Sequence, residues 1–190
     1  MLKPPMGPDL SPTRRLLRWP RAPELLGPVA QVSEEFPELA GLRVRVDLLP
    51  WGSRRLGSAS ILERPPRVAF HPDLARRPGE LAATAAHEFM HLLQWPLQRV
   101  PNGERACDLF VLARFGVRFQ SPPYYLHVPR RARDHWADWA PLAQDLALRA
   151  LEERRQGRRQ YLRWWEEEFR SRIPASVSAG WLPGISPLPG

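Results

Sequence analysis

The chain has 190 residues, 43% of them hydrophobic, enough for one domain with a real core. Net charge is +8, carried by arginines scattered as Arg14-Arg15, Arg54-Arg55, Arg76-Arg77, Arg130-Arg131 and Arg158-Arg159. With no nucleic-acid motif beside them they read as solvated faces, so nucleic acid is not an expected partner. One cysteine excludes an intrachain disulfide framework, and neither a membrane-spanning apolar run nor a secretory signal is found, so a cytoplasmic location is expected.

Residues 1–23 are punctuated by proline and read as an irregular Pro/Arg-rich arm. From Pro23 to Phe36 the spacing of Leu25, Leu26, Val29, Val32 and Phe36 predicts a helix stopped at Pro37. Leu42, Val44, Val46 and Leu48 alternate, which predicts a half-buried strand. Two short strands follow, Ser58–Glu63 and Arg67–Phe70, parted by Pro65-Pro66. A helix from Gly79 to Trp95 carries Leu81, Ala85, Phe89, Leu92 and Leu93 at helical spacing, with Pro96 as its stop. After the turn signal Asn102-Gly103, a second helix runs from Glu104 to Phe115 and ends at Gly116. Beyond a proline-rich loop, a long helical pattern reaches Phe169, interrupted at Gly157 and ended by Pro174. It is expected to cover the core, cap a cleft or mediate dimerisation. Residues 24–173 therefore form one α+β domain with a C-terminal helical extension, and 174–190 a flexible Pro/Gly-rich tail.

The chemistry concentrates in His87-Glu88-Phe89-Met90-His91. Residues four apart on a helix point the same way, so His87 and His91 can share one Zn²⁺. Glu88 beside them is placed to act on a metal-bound water as general base without ligating the ion. A catalytic zinc usually takes a third protein ligand and leaves the fourth position to water. Glu104 is the first candidate and Asp108 the second, with Cys107 third, since a lone cysteine on an apolar helix is more often core. With Glu104 as ligand, Asp108 would accept the free ring N–H of a ligand histidine, expected to be His87. Tyr124, Tyr125 and His127 are candidate donors to a transition-state oxyanion. His71, ahead of Pro72, is expected to cap a turn, and His135 to lie on the surface.

H-E-x-x-H on one helix followed by Glu104 and Asp108 on the next resembles the gluzincin class of zinc metallopeptidases, with a short connection of the miniature kind. The resemblance implies a zincin-like fold, a small mixed sheet packed on the two motif helices. It implies one Zn²⁺ per chain held by His87, His91 and Glu104, with Asp108 orienting a histidine. The expected activity is hydrolysis of a peptide or protein substrate that adds as a strand to the sheet edge, formed by Arg67–Phe70 or the strand near Ser58–Leu62. Two other readings are a catalytically silent zincin-fold binding protein and a basic nucleic-acid-associated protein with a secondary zinc site.

Overall fold

The computed structural model describes residues 7–95, 97–119 and 121–174. Pro96, the first six residues of the expected arm and 175–190 of the expected tail lie outside the described residues.

The fold is α+β. Strands β1 (Asp9–Pro12), β2 (Arg43–Leu48), β3 (Gly57–Ser60) and β4 (Arg67–Phe70) form one mixed sheet in the order β1-β2-β4-β3. β1 and β4 run parallel to β2, and β3 runs antiparallel to β4. Alternation along β2 buries Val44, Val46 and Leu48 and turns Arg43, Arg45 and Asp47 outward, as a one-sided sheet requires. Helices α2 (Ala22–Ser33) and α3 (Pro78–Gln94) cover the apolar face, and Leu25, Val29, Leu81, Ala85 and Phe89 complete this core with Val68 and Phe70. On the outer face Asp47 pairs with Arg15 and Arg67, and Glu63 with Arg45 and Arg67.

Two expectations are corrected. The segment read as an irregular arm contains β1 and the one-turn helix α1 (Arg14–Leu17). Thr13 accepts the Leu16 N–H at 3.2 Å and donates to Asp47 at 2.8 Å, and Leu16 is fully buried. Arg67–Phe70 is not the sheet edge, because the chain doubles back and β3 takes the outer place, leaving β4 paired on both sides. The strand near Ser58, the other expected position, is one edge of the sheet, and β1 is the opposite one. His71 N–H donates to the Leu56 carbonyl at 2.8 Å. By antiparallel alternation, the main-chain groups of Ser58 and Ser60 then face β4, while those of Gly57 and Ala59 face the open side.

Helix α4 (Glu104–Phe115) is buried on two sides. Cys107, Val111 and Phe115 join the sheet core, whereas Leu109, Leu112 and Ala113 join a second cluster with α5 (Arg130–Asp134), α6 (Trp136–Arg155) and α7 (Tyr161–Arg172). The long helical pattern is thus two helices broken at Gly157, whose φ of +100° suits glycine. They cover α4, and no α3 residue belongs to their buried cluster. Trp165 is buried against Phe169 and donates to the Ala143 carbonyl at 3.1 Å, while Trp164 is half-buried under Arg158. Among the described residues no helix is long and apolar enough to cross a membrane.

Candidate metal centre

Helix α3 presents His87 and His91 one turn apart, with ring centroids 4.9 Å from each other. Both rings are oriented through Nδ1. His87 Nδ1 donates to Asp108 Oδ1 at 2.9 Å, and His91 Nδ1 donates to Gln94 Oε1 at 2.9 Å. Gln94 is held in turn, its amide donating to the carbonyls of Pro101 and Gly103 at 2.5 and 3.0 Å. Those contacts tie the α3–α4 connection to α3 and fix where Glu104 begins its helix.

With Nδ1 occupied, each ring turns Nε2 to the same atom: Glu104 Oε2 lies 2.8 Å from His87 Nε2 and 3.3 Å from His91 Nε2. Two ligands about 2.0–2.1 Å from a tetrahedral ion stand about 3.3–3.4 Å apart. The His91 distance is that spacing, and the His87 distance is a hydrogen-bond length. An Nε2 lone pair facing a carboxylate oxygen needs a positive charge between them, a proton or a metal ion. The surroundings favour one. Burial opposes the charged His87 ring, but the hydrogen bond and charge of Asp108, with Glu88 and Glu104, raise its pKa to about 9.

His87, His91 and Cys107 also bring ligand atoms within 4.8 Å of one another, a group able to hold a metal ion. Cys107 Sγ lies 3.3 Å from His91 Nδ1, on the side of the ring where Gln94 sits. Burial, reinforced by Glu104, Asp108 and Glu88, pushes its thiol well above the usual range. The two donor sets share both histidines and differ in the third ligand, Glu104 or Cys107.

Glu88 is 6% exposed and makes no contact with either ring nitrogen among the described hydrogen bonds. Burial raises its pKa to about 7; His87 and Arg55 oppose the shift and Glu104 adds to it. A carboxyl with that value exchanges protons at neutral pH. The edge strand lies against it, for a Cβ at Gly57 would collide with the side chains of Glu88 and Thr84.

Of the three expected donors, Tyr125 is at the site, its ring stacked on His87 with centroids 5.6 Å apart and an angle of 26°. Its backbone N–H donates to Asp108 Oδ2 at 2.5 Å. Burial and the carboxylates of Glu104, Asp108 and Glu88 raise its pKa, keeping the hydroxyl a donor. Tyr124 stands edge-on to Tyr125 and is 81% exposed. His127 is not at the site; its main chain and ring bond Glu166 on α7. His71 caps a turn, accepting the Asp73 N–H at 3.3 Å, and His135 is exposed.

Sequence reasoning missed Gln94 and Gly57. Gln94 sits three residues after His91, a spacing that places side chains together on a helix. A glycine inside a strand is a known sign of close backbone approach, which Gly57 makes to Glu88. Compared with known protein families, curated proteins and solved structures, the chain matches none.

Proposed function

We propose that the chain is a zinc-dependent peptide hydrolase of the gluzincin kind, with His87, His91 and Glu104 as ligands and Glu88 as general base. One observation carries the reading: both Nε2 atoms converge on one Glu104 oxygen, while both Nδ1 atoms are held by acceptors behind them. Two nitrogens and one carboxylate oxygen are a donor set suited to zinc, and three protein ligands leave room for water. A bound zinc would polarise the substrate carbonyl and lower the pKa of a water to about 7.

The chain's own groups supply the rest. Glu88 takes the water proton as hydroxide adds to the acyl carbon, then passes it to the amine as the C–N bond breaks. Its pKa of about 7 suits both transfers. Tyr125 would donate its hydroxyl proton in a hydrogen bond to the developing oxyanion, a role supported by its ring lying on His87. The outward main-chain groups of Gly57 and Ala59 offer a ladder for an extended peptide, beside Glu88.

The test is metal content of the purified protein by mass spectrometry beside Glu104→Ala, Cys107→Ser and Glu88→Ala. One zinc per chain, lost in Glu104→Ala and kept in the other two, with peptide cleavage abolished in Glu88→Ala, is the expected result. Zinc kept without Glu104 and lost without Cys107 would make Cys107 the third ligand and overturn the gluzincin assignment.

A further inference from the structure

α7 carries three consecutive glutamates, and only Glu166 is buried. Burying a carboxylate is costly unless it is fully paired, and an apolar side chain of similar volume would pack the same place at no loss. Its bonds therefore point to something other than stability. Glu166 Oε1 accepts the His127 backbone N–H at 3.0 Å, and Oε2 accepts from His127 Nδ1 at 3.1 Å and from the Arg105 guanidinium at 2.7 Å.

Two residues before His127, the Tyr125 N–H is bonded to Asp108, and Leu126 between them is fully buried. Three consecutive residues are thus fixed by a carboxylate from α4, an apolar plug and a carboxylate from α7. Loops usually have more freedom than this. The fixed stretch begins with the tyrosine whose ring lies on His87.

We infer that Glu166 is a positioning residue: from α7 it locks the Tyr125–His127 segment so that Tyr125 stays over His87. The C-terminal helices then build the site as well as covering α4. The effect on catalysis rests on the peptidase reading above; the effect on the loop does not.

Glu166→Leu keeps the volume and removes all three bonds, while Glu166→Gln keeps an acceptor for the His127 N–H. Arg105→Gln removes the ion pair and leaves both loop bonds. Amide hydrogen exchange over 121–129 and over α7 is followed in the full chain, with and without zinc, beside zinc content and the kinetics of peptide cleavage. The expected result for Glu166→Leu is fast exchange at Tyr125 and His127, unchanged exchange in α7, full zinc content, and kcat lower by about a hundredfold with KM little altered. Glu166→Gln should recover part of the loop protection and of kcat, and Arg105→Gln should leave the loop protected. Wild-type loop protection in Glu166→Leu overturns the inference. So does loss of α7 protection together with that of the loop, or a freed loop with unchanged kcat. Absence of cleavage by every protein, wild type included, removes the peptidase reading while the exchange pattern still decides the loop.

Discussion

The main chain of Gly57 lies so close to the carboxylate of Glu88 that no side chain fits between them. Edge strand and general-base candidate are thus in direct contact, one presenting free main-chain groups and the other a buried acid. Gly57→Ala should move Glu88 without touching the histidines or Glu104. Zinc content should stay at the wild-type level, peptide cleavage should fall at least about tenfold, and stability should drop by about 1–3 kcal/mol from the overpacking. Metal analysis, kinetics and urea unfolding read the three effects, and unchanged cleavage would remove Glu88 from the reaction.

Asp108 divides its oxygens between His87 Nδ1 and the Tyr125 N–H. Losing such a partner usually weakens metal affinity by about 10–100-fold. Asp108→Ala should do so in a chelator competition and should also speed amide exchange at Tyr125. Asp108→Asn, which keeps an acceptor for the ring, should lose less.

Stability of the ion-free protein should fall as pH rises, because two groups bind protons more tightly in the folded chain than in the unfolded one. Glu88 is raised from 4.5 to about 7, so its penalty for ionising when folded grows through that window. His87 is raised from 6.5 to about 9, so its contribution is complete below 6.5 and is lost on the way to 9. Glu88→Gln should flatten the lower window, a difference on the order of 3 kcal/mol. Urea unfolding at several pH values in excess chelator would detect this; equal slopes in both proteins would contradict it.

Phe36 is fully buried where α2 ends, with Phe89 of α3 and Phe115 of α4 at 5.6 and 5.7 Å, and the Arg114 guanidinium 4.8 Å from its ring. Phe36→Ala should cost about 3–5 kcal/mol in chemical denaturation. As it props the two helices that carry the site, zinc affinity should weaken with it.

Helices α3 and α4 were legible in the sequence because their signals are local: apolar spacing, Pro78 at one start, Gly103 and Gly116 around the other helix. The H-E-x-x-H spacing names its own geometry once the segment is helical, which is why His87 and His91 needed no tertiary information. β1 was not legible. Asp9-Leu10-Ser11-Pro12 has no β-branched residue, and its strand identity comes from pairing with β2 more than thirty residues away. The edge could be narrowed only to Arg67–Phe70 or the strand near Ser58–Leu62, because strand order in a sheet is set by the path of the chain, not by sequence order; the second is the edge. Tyr125 could be named but not placed, since its position depends on Asp108 from α4 and on the loop bonds to α7. His127 shares that loop and faces the other way, a difference that spacing cannot encode.

Because α4 is apolar on opposite sides, the chain cannot be shortened to its sheet and two motif helices without consequence. A version ending near Phe119 would leave Leu109, Leu112 and Ala113 bare, a sticky stripe along the helix that carries Glu104 and Asp108. Any minimal catalyst carved from this protein would have to be resurfaced with polar residues at those positions, and a natural relative lacking the C-terminal helices should already carry them.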